Sequence, residues 1–305
     1  MNDTDRLRIQ RRFELLQGDI CAGLEQLDGS GRFSEDIWER PGGGGGRSRI
    51  IAGKLIEKGG VGFSAVHGVV PDKMATILQA DVDEKFFATG VSIVLHPHNP
   101  WLPIIHMNVR YFEMDNGNYW FGGGIDLTPH YIFAEEAIHF HKQLKEICDR
   151  FEPDAYLKFK ATADDYFYIP HRKETRGVGG IFFDHLKARD GMTKSQIEDF
   201  VFSVGNAFVS IYQNAVENNR DRAFIEEQIQ WQRLRRGRYA EFNLVYDRGT
   251  KFGLETDGRA ESILMSLPPL AAWEYNHQVQ NGSLEQFTLE HLRKGIDWIN
   301  YSLAD

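Results

Sequence analysis

The sequence predicts an α+β protein: one large, mostly antiparallel sheet with helices on both sides. Three observations predict it. Strand-like runs follow one another from "GVGFSAVHG", beginning at Gly60, to "GNYWFGGGIDL", ending at Leu127. The links between these runs are short, which favours antiparallel neighbours. Helix-periodic segments bracket the block of strands.

Ile9, Phe13, Leu16, Ile20, Leu24 and Leu27 recur at steps of three and four, the spacing of an amphipathic first helix. The same stretch has no apolar signal core, and Asp3, Asp5, Glu14 and Asp19 argue against a transit peptide. "RPGGGGGRSR", Arg40 to Arg49, is the one low-complexity segment. Its glycines at 42–46 read as a mobile loop, with Arg40, Arg47 and Arg49 placed to close over an anion. After "GVGFSAVHG" come the strands "FFATGVSIVLHP", "IIHMNVRYFEM" and "GNYWFGGGIDL". "EEAIHFHKQLKEICDRF" is a helix with Ala137, Phe140, Leu144 and Ile147 on one face, and a second helix covers Asp154 to Tyr168. "GGIFFDHL" is a short strand, and "SQIEDFVFSVGNAFVSIYQNAVENN" reads as one long helix. "RYAEFNLVYDRGTKFGLET" reads as a hairpin turning at Asp247-Arg248-Gly249-Thr250. A last helix carries Leu289, Leu292, Ile296, Ile299 and Leu303. With no internal repeat and no long linker, residues 1–305 are expected to form a single domain.

Composition removes several classes of function. The formal net charge of −9 disfavours nucleic acid as a bulk partner, so an anionic ligand must be held by a local basic pocket. No apolar run is long enough to span a bilayer. The two cysteines, Cys21 and Cys148, are neither a disulfide framework nor a metal motif, and a reducing cytoplasm is the expected compartment.

Strand parity sorts the residues that can do chemistry. In "IIHMNVRY", His106, Asn108 and Arg110 share one face, while Ile105, Met107, Val109 and Tyr111 share the other and look like core. Ser92, Val94 and His96 share a face in "GVSIVLHP". If the two strands pair, Ser92, His96, His106, Asn108 and Arg110 line one polar surface. It is either a solvated sheet face or the wall of a pocket. His96, His106, His141 and His171 come from different segments, and a divalent metal would need them to converge; no helical His-x-x-x-His pair is present. "FGGGID", "RGVGGIFFD" and "TDGRAES" read as glycine-rich turns, able to aim N–H groups at a carboxylate or simply to reverse the chain. The last supplies Arg259, a natural clamp for carboxylates. Asp247, beside Arg248, is either turn chemistry or a carboxylate held toward a ligand's N–H groups.

Longer pieces carry a resemblance. "WERPGGGGGRSR", "VSIVLHPHNP", "HMNVRYF", "WFGGGIDLTP", "DDYFYIPHRKETRGVGGIFFD", "RRGRYAEFNLVYDRGTKFGLETDGRAESILMSLPP" and "WEY" resemble the oxygen-dependent coproporphyrinogen III oxidases, in that family's order, from about Ile37 to Tyr275. The resemblance implies haem (porphyrin) biosynthesis: oxidative decarboxylation of the ring A and B propionates of coproporphyrinogen III to vinyls. The products are protoporphyrinogen IX, carbon dioxide and hydrogen peroxide. It implies dioxygen as co-substrate and homodimers, with 239–271 tied to dimer formation. It implies substrate contacts at Ser92, Asn108, Val109, Arg110, Asp257, Gly258 and Arg259, and His106 as proton donor. For some members it implies a divalent metal on residues matching His96, His106, His141 and His171. No flavin or haem motif is visible, so no organic cofactor is expected. One departure is clear: where the family has Trp-Cys before "DDYFY", this chain has Thr162-Ala163. The substrate's chemistry adds its own demand. Its four propionates need Arg110, Arg259 and N–H groups. Its converging pyrrole N–H groups suit one carboxylate, for which Asp247 is the candidate, kept ionised by Arg248. Trp120, Phe121 and Tyr111 are expected to pack against the macrocycle. Two competing readings are a tetrapyrrole-binding module without catalysis and a metal-dependent oxygenase.

Overall fold

The structure, a computed structural model, describes residues 3–70, 81, 83–255 and 258–302. Helix α1 (Asp3–Asp28) leads into strands β1 (Ser34–Glu39), β2 (Gly44–Ile51), β3 (Ile56–Val69), β4 (Lys85–Pro97), β5 (Ile104–Met114) and β6 (Tyr119–Thr128). Helices α2 (Ala134–Phe151) and α3 (Ala155–Tyr166) follow, then the short pair β7 (Tyr168–Ile169) and β8 (Glu174–Thr175), then β9 (Gly179–Leu186). The remainder is helical: α4 (Lys194–Asn206), α5 (Phe208–Glu217), α6 (Glu226–Val245), α7 (Arg248–Glu255), α8 (Ala260–Ile263), a 3-10 turn (Leu264–Ser266) and α9 (Leu284–His291). The seven strands of the main sheet lie in the order β1-β2-β3-β4-β5-β6-β9, every neighbour antiparallel. The α+β expectation is met.

Alternation builds the two faces. Val91, Ile93 and Leu95 of β4 and Ile105, Met107, Val109 and Tyr111 of β5 are buried on one face. Ile9, Phe13, Leu16, Ile20 and Leu24 of α1 join them in the main core, with Ala137, Phe140 and Leu144 of α2, Ile197, Val201 and Val204 of α4, and Ile211 of α5. A Thr193–Gln196 capping box starts α4. The opposite face carries the polar residues of β4 and β5. It is partly covered by α6 and by the segment running on to the 3-10 turn, whose Met265 packs on Gly60.

Five expectations are corrected. The 42–46 glycines are not one loose loop: Gly44–Gly46 are strand residues of β2 paired with β3, and Gly45 and Gly46 pair with β1 as well. A Cβ on Gly44 would lie 2.2 Å from the Ala65 carbonyl oxygen, so close backbone approach is their role. "FGGGID" lies within strand β6, as the strand expected over "GNYWFGGGIDL" requires, and makes no turn. The expected hairpin is the end of α6 and all of α7. Trp231, Leu234, Arg235, Tyr239, Phe242 and Asn243 are buried at helical spacing, and that period overrides the β-like composition. The long helix expected over 195–219 is two helices meeting at Ala207. The C-terminal helix stops at His291, and Gly295 sits at φ +79° while Leu292, Ile296 and Trp298 pack without helix. Leu303 lies outside the described residues.

Candidate active site

The second face of the sheet has a floor of bare backbone. Ser92 pairs with Asn108, Val94 with His106 and Gly90 with Arg110, so the polar residues of β4 and β5 share that face. Across β6, Gly122 opposes Arg110, Gly124 opposes Asn108 and Asp126 opposes His106. Gly60 and Gly62 of β3 oppose Val94 and Ser92, and Gly180 of β9 opposes Asp126. Directly paired residues point the same way. The polar side chains therefore stand along a strip paved mainly with glycine, with Val94 and Phe182 on the same face.

His106 is held from behind. Its Nδ1 lies 2.8 Å from Asp126 Oδ1. Arg176 Nη2 donates to the same oxygen at 2.7 Å and Nε donates to Oδ2 at 3.2 Å. Arg176 Nη2 also comes within 3.4 Å of His106 Nδ1. The shorter contact to a carboxylate, which only accepts, puts the hydrogen on Nδ1 and leaves Nε2 free to exchange a proton. Burial alone would push the Asp126 carboxyl up. The Arg176 charge and the His106 hydrogen bond outweigh it and hold the group below the usual carboxylate range. Arg176 is itself buried, lies 4.4 Å over Phe167 and 4.7 Å over both Tyr239 and Phe242, and donates from Nη1 to Asn243. Neither Asp126 nor Arg176 was singled out from sequence. The available signal was one Asp inside the otherwise apolar run "GGGIDL", in parity with Gly122 and Gly124.

Arg110 Nη1 donates to Asn108 Oδ1 at 3.0 Å, and Nη2 lies 2.9 Å from Asp184 Oδ2. Val109, between them, turns its side chain into the core, so only its main chain is available to the second face. Gly258 N–H donates to the Gly253 carbonyl, and Arg259 pairs with Asp36 of β1. Asp257 lies outside the described residues. From there the chain crosses the sheet: Ser262 bonds Ser48, Lys58 donates to Leu267, and His96 Nε2 meets the Ser266 carbonyl at 2.9 Å.

Asp247 and Arg248 reach the same face by a stack. Phe182, opposite Gly124, stacks with Tyr166 at 4.2 Å between ring centroids. Tyr166 O–H donates to Asp247 Oδ1 at 2.9 Å, and Thr250 N–H donates to Oδ2 at 2.6 Å, an N-cap contact for α7. The expected Asp247–Arg248 pairing is not made. The Arg248 guanidinium lies over the Tyr166 ring, 4.8 Å from its centroid. Of the three expected packing aromatics, Tyr111 and Phe121 belong to the main core behind the sheet. Trp120 stands on the second face, stacked with Phe112 at 4.3 Å.

The four candidate metal histidines do not converge. His96 is buried on its Ser266 contact, and burial pushes its imidazole down to about 3. His141 lies behind the sheet, with Nε2 2.9 Å from the Val178 carbonyl and Nδ1 2.9 Å from Tyr156 Oη. His171 is exposed, between Tyr246 and Glu241. With a sheet between His141 and His106, these residues do not fit one metal ion. Among the described residues no three His, Cys, Asp or Glu are grouped to hold one. Ala163, where the family has Cys, is buried in α3 against the cluster of Phe167, Phe182 and Phe242.

Comparison with known proteins decides the family. The coproporphyrinogen III oxidase family model matches residues 8–298. The chain belongs to the coproporphyrinogen III oxidase family. It is 47% identical to the chloroplastic oxygen-dependent coproporphyrinogen-III oxidase of Glycine max, over 96% of this chain and 80% of that one. It is 46% identical to coproporphyrinogen-III oxidase 1, chloroplastic, of Arabidopsis thaliana, over 96% of this chain and 79% of that one. It is also 46% identical to the oxygen-dependent coproporphyrinogen-III oxidase of Parasynechococcus marenigrum strain WH8102, over 99% and 90%. The glycine-paved face is thus the surface of a coproporphyrinogen III oxidase. No helix of the described residues is long and apolar enough to cross a membrane.

Proposed function

We propose that this chain, an oxidoreductase of haem biosynthesis, binds coproporphyrinogen III on the glycine-paved face and oxidises it there with dioxygen. The observation that carries the reading is the convergence of His106, Asn108 and Arg110 on a floor made largely of glycine. Five strands, β3 to β6 and β9, contribute to that floor. At about 4.8 Å between neighbours they span roughly 19 Å, room for a flat macrocycle with four arms.

The residues divide the work. Arg110 and Arg259 hold propionates, with Asn108, Ser92 and the 257–259 segment completing the contacts. Asp247 accepts from pyrrole N–H groups and makes the ring electron-rich. Dioxygen takes two electrons from the substrate. For each ring, one propionate and one dioxygen take up one proton and give one vinyl, one carbon dioxide and one hydrogen peroxide. The C–COO bond breaks and its electron pair forms the vinyl double bond, while the β-hydrogen leaves to the peroxide. His106 Nε2 supplies the proton taken up, and Asp126 keeps that ring oriented. No organic cofactor is needed, because the substrate itself supplies the electrons.

Three further parts belong to the proposal. Residues 1–305 act as one domain in the cytoplasm. The active form is a homodimer through 239–271, where Leu244, Val245, Leu254 and Leu270 are exposed. Sedimentation of the protein as a monomer would remove that part. The mechanism is tested by Asp247→Ala, which should lose most turnover while the protein stays folded. Near-normal turnover would sink the assignment. Substrate binding without oxygen uptake by the unmodified protein would leave a tetrapyrrole-binding module instead, and loss of activity on exhaustive chelation would favour a metal-dependent oxygenase.

A further inference from the structure

We propose that Asp184 is a positioning residue that sets the Arg110 guanidinium to receive a substrate propionate, and that a β-bulge aims it there. The inference rests on the reading of Arg110 as a propionate ligand. The register of β6 with β9 runs Gly123 opposite Phe183, then Phe121 opposite Leu186. Two residues, Asp184 and His185, therefore oppose the single Gly122, which is the count of a bulge. Strict alternation would turn Leu186 onto the glycine-paved face. The bulge returns it to the core side, where it packs against the main cluster.

The bulge has a conformational cost. His185 sits at φ +53°, a region side chains other than glycine rarely adopt. Strain of this kind persists where the surroundings hold it, and it clusters at functional sites. Here it places two side chains. His185 stacks on Trp120 at 4.9 Å, and Asp184 meets Arg110 at 2.9 Å. The His185 N–H donates to Asp184 Oδ1 at 2.9 Å, fixing the carboxylate.

Gly122 completes the device. A Cβ there would lie 2.5 Å from Asp184 Oδ1 and 2.9 Å from Arg110 Nη2, so the ion pair lies across the bare glycine. Asn108 holds Nη1 and Asp184 holds Nη2. The guanidinium plane is set by two acceptors, and its remaining N–H groups are left for a carboxylate. The Arg110 side chain is 34% exposed, enough for a ligand to reach it.

The test measures kcat and KM for coproporphyrinogen III in Asp184→Asn, Gly122→Ala, Arg110→Lys and the Asp184→Asn/Arg110→Lys double variant, each checked by thermal melting. Asp184→Asn should raise KM about fivefold, the scale of a part-exposed ion pair, with kcat within about twofold. Gly122→Ala should move KM the same way by displacing the pair. The double variant should be no worse than Arg110→Lys alone, because both act on one contact. An unchanged KM in Asp184→Asn beside a raised KM in Arg110→Lys overturns the positioning role alone. An unchanged KM in Arg110→Lys removes the reading of Arg110 on which it rests. Should Asp184→Asn not fold, Gly122→Ala decides: an unchanged KM there overturns the proposal.

Discussion

At Asp126, burial and charge pull in opposite directions, and charge wins. A carboxylate with 2% of its side chain exposed stays ionised because Arg176, equally buried, donates to both of its oxygens. Asp126→Asn leaves that guanidinium uncompensated, and about 3–5 kcal/mol of stability should be lost in urea unfolding at neutral pH. The folded carboxyl is depressed, so its contribution is present above the ordinary carboxylate range and fades as pH falls through the depressed value. The difference between wild type and Asp126→Asn should therefore narrow toward acid. Glu136 behaves in the opposite sense. Burial pushes it up to about 7, against a hydrogen bond from Asn219 that pulls it down. A group raised on folding stabilises below its unfolded value and loses that contribution as pH rises through the folded one. Glu136→Gln should melt a few degrees higher than wild type at pH 8 and show no such gain at pH 4. Parity was enough to place His106, Asn108 and Arg110 on one face in advance. Asp126 and Arg176 were not legible that way, because a buried ion pair joins residues fifty positions apart and leaves no local pattern.

Among the elements, the α6–α7 corner shows where local pattern fails. "NLVYDRGTK" has strand-like composition and a turn-like centre, yet it forms the last turn of α6 and the start of α7: the burial that sets the helix lies at its first residue and just before it, at Tyr239, Phe242 and Asn243. The function expected of Asp247 does not depend on the hairpin. What matters is that its carboxylate is fastened to the sheet, and here the fastener is Tyr166 through its stack on Phe182. Tyr166→Phe keeps the stack and removes the O–H. It should lower kcat about tenfold, with little change in melting temperature, since a hydrogen bond to a charged group is worth about 1.5–3 kcal/mol. Unchanged kcat would mean that Thr250 N–H alone positions Asp247. The glycine runs were misread for a related reason. In isolation they look like turns or loops, yet in β2, β6 and β9 they are strand positions where another backbone or a neighbouring side chain approaches too closely for a Cβ.

For the molecule as a whole, the sheet is a partition. One face carries the core with α1, α2, α4 and α5, and the other carries the polar residues on glycine. The α+β class and the working face were both readable from sequence, because alternation is a property of single strands. What covers that face was not, since Arg259 on Asp36, Ser262 on Ser48 and Met265 on Gly60 are contacts between distant segments. The partition also explains why His141 cannot join His106. If the substrate lies on the glycine floor, a side chain placed there must obstruct it. Gly62, opposite Ser92, is the place for one: the nearest atom to a new Cβ would be Met265 Cε at 3.5 Å, an ordinary contact. Gly62→Leu should therefore fold, and its side chain should stand on the floor. Oxygen uptake with coproporphyrinogen III should show KM raised at least about tenfold, or turnover lost, at a near-normal melting temperature. A folded Gly62→Leu with wild-type KM and kcat would place the substrate elsewhere.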